Sequence, residues 1–197
     1  MIKSFEEIWC LNKGRTEAMS EPKARQIYKY LLQCKDLEGK IAEAGVFKGA
    51  ISNLLARMAP NKLIHLFDTW TGLSDTDKRY DLHTKGDFAT PYEDVVSFLQ
   101  DCPNVRFHRG LFPYTTRSVK SEKFCFVHID FDLYAGTLAG CKFFYPRMSP
   151  GGIIIFDDYL WYATPGVKSA LDEFFNDKPE IPIVLGPNFF QAIVIKQ

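Results

Sequence analysis

Two short apolar runs, each ending abruptly in carboxylates, constrain this chain more than any other feature. The first is Phe124-Cys-Phe-Val-His-Ile-Asp-Phe-Asp-Leu-Tyr134; the second is Gly151-Gly-Ile-Ile-Ile-Phe-Asp-Asp-Tyr159. A buried parallel strand reads this way when its carboxyl end meets a site, because both faces are covered until the sheet stops. Between the runs, apolar residues at 134, 138, 141 and 145 predict a helix from Tyr134 to Tyr145. Strand, crossover helix and strand make a βαβ unit, whose strands are neighbours about 4.8 Å apart. Asp130, Asp157 and Asp158 then converge on one sheet edge, within reach of a single cation. Asp132 is expected to cap the helix beginning at Leu133-Tyr134 instead of joining them.

The remaining patterns supply more units of the same kind. Residues 4–35 read as helical, interrupted near Asn12-Lys-Gly-Arg15 and restarted by Ser20-Glu-Pro22, with Ser20 as N-cap. That second helix puts Ile27, Leu31 and Cys34 on one face. Residues 1–36 form an N-terminal helical segment of the same domain as residues 37–197. Strands are expected over Lys40–Gly45, Lys62–Phe67 and Asn104–His108. Helices are expected from Gly49 to Met58, from Pro91 to Gln100, and through Val167, Ala170, Leu171, Phe174 and Phe175. The tail, Ile181 to Leu185 and Phe189 to Ile195, reads as a β-hairpin. The expected architecture is α/β: a mostly parallel seven-stranded sheet with helices on both faces and a terminal antiparallel hairpin, its ligands at the carboxyl ends of the strands. Residues 71–90 are polar and charged, and a loop of that length in a compact domain is usually functional or mobile.

Charge and cysteine usage exclude several classes. Lys plus Arg equals Asp plus Glu at 24 each. A formal net charge of zero argues against capture of nucleic acid or an anionic membrane. No apolar run approaches the roughly 20 residues needed to span a bilayer. The five cysteines (10, 34, 102, 125 and 141) are odd in number and contain no C-x-x-C pair, which disfavours structural zinc and a disulfide framework. No basic segment followed by an apolar stretch opens the chain, so a reducing cytoplasm is the expected compartment.

Chemistry is expected at three places. Glu43-Ala-Gly-Val-Phe-Lys-Gly49 turns from a strand into a helix, and glycines there let a ligand approach the backbone. The spacing is G-x-x-x-G, so the dinucleotide fingerprint is absent. Asp68 ends the next strand, where nucleoside-binding folds place an acid on the ribose hydroxyls; capping the following turn is the alternative. Asp130, Asp157 and Asp158 would raise one another's pKa, a cost that a hard divalent cation with oxygen ligands, such as magnesium, removes. His65 and His128 lie inside strands, as core residues do, although His128 shares the face of Asp130. His83 and Asp87 in the charged loop could touch a substrate. Neither a G-x-S-x-G elbow nor a P-loop is present.

Four of these stretches together carry a family resemblance. Ile41-Ala-Glu-Ala-Gly-Val-Phe-Lys-Gly49, Leu66-Phe-Asp-Thr-Trp-Thr-Gly-Leu73, Phe126-Val-His-Ile-Asp-Phe-Asp-Leu-Tyr134 and Pro150-Gly-Gly-Ile-Ile-Ile-Phe-Asp-Asp-Tyr159 resemble the macrocin (TylF-type) O-methyltransferases. The order is the family's, and Pro165-Gly-Val-Lys168, Asp172-Glu-Phe174 and the Thr16–Met19-Ser20 region extend the similarity. The resemblance implies a Rossmann-like class I methyltransferase that uses S-adenosylmethionine and magnesium. It also implies a small-molecule acceptor, typically a sugar hydroxyl on a glycoside. By this resemblance Glu43, Gly45, Phe47 and Gly49 hold the cofactor's methionine part, and Met19 and Ser52 also bind the cofactor. Asp68 takes the ribose, and Gly110, Leu111 and Phe112 form the adenine-side loop. Asp130, which also adjoins the cofactor, Asp157 and Asp158 match the magnesium ligands. The chain departs from the family at Gly49-Ala-Ile-Ser52, where Gly-Gly-Ser-Ser is usual and a side-chain contact at position 51 is lost. It departs again at Asp132-Leu-Tyr-Ala-Gly-Thr137, where Asp-Leu-Tyr-Glu-Ser-Thr is common.

The implied mechanism is in-line methyl transfer to a hydroxyl activated by the metal, with Asp130 as proton acceptor. A nicotinamide oxidoreductase, a metal-dependent hydrolase and a non-catalytic cofactor-binding module are the alternatives. The acceptor is not encoded in any stretch, and a homo-oligomer is compatible with the composition.

Overall fold

A computed structural model of the chain describes residues 4–186 and 188–197. Its frame is one sheet in the order β3-β2-β1-β4-β5-β7-β6. Five strands are parallel: β1 (Lys40–Ala44), β2 (Ile64–Asp68), β3 (Val105–Arg109), β4 (Phe124–Ile129) and β5 (Met148–Phe156). The tail forms β6 (Ile183–Leu185) and β7 (Gln191–Ile195), which pair antiparallel with each other and, through β7, with β5. Parallel strands wind outward in both directions from β1 and β4. The chain therefore reverses its direction of winding between them, and a crevice opens there at the carboxyl edge.

The helices are α1 (Phe5–Cys10), α2 (Glu21–Cys34), α3 (Ala50–Met58), α4 (Tyr92–Phe98), α5 (Tyr134–Phe144) and α6 (Pro165–Phe175). Ser4 and Ser20 cap α1 and α2 by accepting from Glu7 N and Lys23 N. Alternation along the strands divides the core. Ile41, Phe126, Ile153 and Ile155 face a cluster containing α1, α2 and α3 residues such as Phe5, Ile27, Leu31 and Leu54. Ala42, Ala44, Val127, Ile129, Ile154 and Phe156 face Phe143, Phe144, Val167 and Leu171 of α5 and α6. The N-terminal helices thus share a core with the sheet. The elements follow the sequence expectation, with β5 beginning at Met148 rather than Gly151.

The 71–90 loop contains no helix or strand, yet it is tied down. Its two ends pinch together through Leu73 N to Asp87 O (2.8 Å) and Gly86 N to Leu73 O (2.9 Å). Tyr80 stacks on Tyr134 with ring centroids 4.2 Å apart. No helix among the described residues is long and apolar enough to cross a membrane.

Candidate functional site

Strand register brings the predicted residues to one level. Gly45 N donates to Phe67 O (2.9 Å), Gly110 N to Asp68 O (2.9 Å), Asp130 N to Ala44 O (2.8 Å) and Asp157 N to Ile129 O (2.9 Å). The first residue past each strand is therefore held by its neighbour, and the carboxyl edge is a continuous rim. Gly45 sits at φ +90°, and a Cβ there would lie 1.8 Å from the Asp130 carbonyl oxygen. No side chain fits between β1 and β4 at that point. The following turn closes on Asp68, whose Oδ2 accepts from Val46 N (2.7 Å) and Phe47 N (2.9 Å) and whose Oδ1 accepts from Trp70 N (2.7 Å).

Acids gather beside this turn. Candidate ligand atoms of Asp130, Asp132 and Asp158 all fall within 4.8 Å of one another, as do those of His128, Asp130 and Asp157. Asp130 thus joins two overlapping groups rather than one trio with Asp157 and Asp158. Asp132 corrects the sequence expectation. The chain has left β4 and turns through φ +60° there, and the side chain joins the cluster instead of capping α5. The N-terminus of α5 is satisfied instead by Asp81 Oδ1, which accepts from Tyr134 N at 2.9 Å. Asp158 turns similarly at φ +57°. Such conformations cost about 1–3 kcal/mol each and concentrate at functional sites.

A lysine enters the cluster from α2. Lys23 Nζ lies 3.2 Å from Asp157 Oδ2 and 2.5 Å from Asp158 Oδ1. Burial works against its charge, but Asp157 and Asp158 more than offset this and hold its pKa above the usual lysine range. Burial, reinforced by Asp157, keeps the Asp130 carboxyl well above the ordinary range; burial and Asp158 do the same for Asp132. Burial also raises Glu43. Behind the acids, Ser52 Oγ donates to Glu43, and His128 Nδ1 stands 3.6 Å from Glu43 Oε1, too long for a direct hydrogen bond. Burial alone would lower the His128 pKa, but Glu43 and Asp130 raise it overall.

The rim opens into a cavity of about 650 Å³, in the range of small-molecule sites. Glu43, Gly45, Phe47 and Asp68 line one side; Asp130, Asp132, Asp158 and Lys23 form the adjoining wall. Gly110, bonded to Asp68, lines it with Leu111 and Phe112, as do Met19, Trp161 and Phe190. Phe47, Phe88, Asp132, Asp158 and Phe190 line it with φ between 50° and 61°, so strained backbone gathers around the cavity.

A profile of the family described as macrocin O-methyltransferase (TylF) matches residues 24–183. The chain belongs to the TylF family. Demethyldecarbamoylnovobiocin O-methyltransferase of Streptomyces niveus is 26% identical over 158 residues, covering 71% of this chain and 59% of that protein. A Streptomyces olivaceus enzyme, 8-demethyl-8-(2,3-dimethoxy-alpha-L-rhamnosyl)-tetracenomycin-C 4'-O-methyltransferase, is 29% identical over 155 residues, 69% of this chain and 58% of that one. This TylF-family chain therefore spans less than two thirds of the length of these relatives. The solved calicheamicin methyltransferase CalS11 superposes with a TM-score of 0.78 over 99% of this chain and 94% of its own, at 18% identity, a likeness of fold.

Within this TylF-family site, three expected residues stand back from the cavity. Ser52 is fully buried behind Glu43, and its hydroxyl donates to that carboxylate. Gly49 starts α3 at φ +79° and packs against Val95. Asp157 lies under the wall, reaching the site through Lys23. Lys23, Asp132, Trp161 and Phe190 were not legible as site residues. Lys23 had a signal: extended one turn back, the buried stripe Cys34, Leu31, Ile27 lands on it, and a lysine on a buried stripe requires an acid partner.

Proposed function

We propose that this chain is an S-adenosylmethionine-dependent O-methyltransferase acting on a sugar hydroxyl of a glycoside or related natural product, with magnesium at the acid cluster. The observation that carries this reading is the meeting of the glycine turn, Asp68 and the aspartates 130, 132 and 158 around one cavity at the crevice between β1 and β4. A nicotinamide site would need the G-x-G-x-x-G turn, and a hydrolase has no use for the paired turn and Asp68.

The residues suit both groups. The donor set is carboxylate oxygen, the preference of a hard cation. Asp157 Oδ1 is buried with no hydrogen-bond partner among the described residues, and one lysine charge faces four aspartates. Asp130, Asp132 and Asp158, with Asp157 beneath, would hold the ion. Bound magnesium would polarise an acceptor hydroxyl and lower its pKa. S-adenosylmethionine supplies a methyl group on a positively charged sulfur, which a wall rich in carboxylates attracts.

The chain's own residues do the rest. Backbone at Gly45 to Phe47, with Glu43 and Met19, seats the methionine part. Asp68 has lone pairs left for ribose hydroxyls, and Gly110 to Phe112 flank the base. Asp130 accepts the hydroxyl proton, with Asp132 beside it. Trp161 and Phe190, in T-shaped contact with centroids 4.8 Å apart, offer an aromatic wall to the acceptor ring.

Calorimetry tests the cofactor: S-adenosylhomocysteine should bind and a nicotinamide dinucleotide should not. Transfer of labelled methyl to a panel of glycosides tests the reaction. Asp157→Asn and EDTA should each lower the rate at least about tenfold, a loss of 1.4 kcal/mol. Full rate after both treatments would remove the metal from the mechanism.

A further inference from the structure

Lys23 stands where the acids would meet a metal. It is 9% exposed, lies on the core-facing stripe of α2, and spans 134 positions of sequence to reach Asp157. The α2 N-terminus explains nothing about this side chain, since Ser20 accepts from the Lys23 backbone. A buried ammonium persists only where carboxylates repay its desolvation, and here it takes one oxygen from each of Asp157 and Asp158. Asp157 Oδ1, the oxygen Lys23 leaves, has no other partner among the described residues.

We propose that Lys23 is a built-in rival of the divalent cation: it neutralises Asp157 and Asp158 when no ion is bound and must yield an oxygen, or move aside, when one is. This rests on the magnesium reading above. Lys23 lines the cavity, so its flexible stem has open space to swing into without moving α2. Lysine is suited to the task because its ammonium is a compact point charge with three donors, which imitates a small cation more closely than a guanidinium fork does. The consequence is a site whose metal affinity is held down by its own chain. That restraint is removable by one substitution.

The test is direct metal binding, with neither cofactor nor acceptor present. Mn²⁺ is titrated into the unaltered full chain, Lys23→Met and Asp157→Asn, with free ion followed by electron paramagnetic resonance. Lys23→Met keeps the length of the side chain and removes its charge. It is expected to bind Mn²⁺ about tenfold more tightly than the unaltered chain, a gain of 1.4 kcal/mol, while Asp157→Asn binds more weakly. Equal or weaker binding by Lys23→Met, with the unaltered chain binding normally, overturns the proposal: Lys23 would then order the ligands rather than compete. No binding to the unaltered chain, or binding untouched by Asp157→Asn, overturns the magnesium reading itself. Should Lys23→Met unfold without metal, its melting temperature against Mg²⁺ serves instead. Folding restored at concentrations that barely stabilise the unaltered chain supports rivalry, and no restoration refutes it.

Discussion

Gly45→Ala should separate the two halves of the site. The new Cβ would sit 1.8 Å from the Asp130 carbonyl oxygen and 2.6 Å from its carbon, both rigid backbone atoms at a strand end. An ordinary contact is near 3.4 Å, so β1 and β4 must part by more than an ångström. Forcing a side chain into left-handed backbone costs about 1–2 kcal/mol, and overpacking adds about 1–3 kcal/mol. The sum, about 2–5 kcal/mol, falls short of the usual stability of a domain, so the variant should fold. Its site should not survive intact, because Asp130 moves with its carbonyl and an ångström of misplacement costs on the order of a hundredfold in rate. Gly14→Ala is the control: φ is +78° there, but nothing lies within 4 Å of the new Cβ, so only the conformational cost applies. Urea unfolding of both variants, with S-adenosylhomocysteine calorimetry, reads the difference. If Gly45→Ala loses no more stability than Gly14→Ala, or keeps its cofactor affinity, the close approach of β1 to β4 does not organise the site.

Two further outcomes follow from the same structure. Trp161→Ala should raise the acceptor KM several-fold and leave S-adenosylhomocysteine affinity unchanged; a parallel loss of both would assign Trp161 to the fold. Burial, helped by His108, lowers the His65 pKa to about 4 from 6.5. The unfolded chain takes a proton on this histidine below pH 6.5 while the folded chain waits until about pH 4. The unfolded state therefore binds more protons across that window. His65 accordingly subtracts about 1.4 kcal/mol per pH unit as pH falls. Unfolding free energies measured at pH 7.5 and 5 should drop less for His65→Leu than for the unaltered chain, and equal drops would refute the assignment.

Where sequence reading succeeded, local chemistry and strand register were enough. Gly45, Asp68, Gly110, Asp130 and Asp157 each follow a run that can only be a strand. Parallel strands bonded in register bring such residues to one rim whatever the rest of the chain does. The acid-tipped runs, the glycine turn and the pairing of the two acid-tipped strands were therefore written in period and punctuation. What alternation could not express was the backbone past the strand ends. Left-handed turns at Asp132 and Asp158 set where those carboxylates point, and the strand pattern ends before it reaches them. The same limit hid the N-cap of α5, which comes from Asp81, 53 positions away in a loop that had no local pattern.

The sequence by itself determined an α/β sheet with carboxylates at a strand edge, because hydrophobic period and turn residues act over a few neighbours. Tertiary structure alone decided which charge answers those carboxylates. Lys23 meets Asp157 only because α2 packs on the face of β4 and β5 that Asp157 also faces. Ser52 of α3 likewise gives its hydroxyl to Glu43 of β1 in the buried interior. Both are consequences of burial: a charge removed from water must find its partner in whatever element is folded against it.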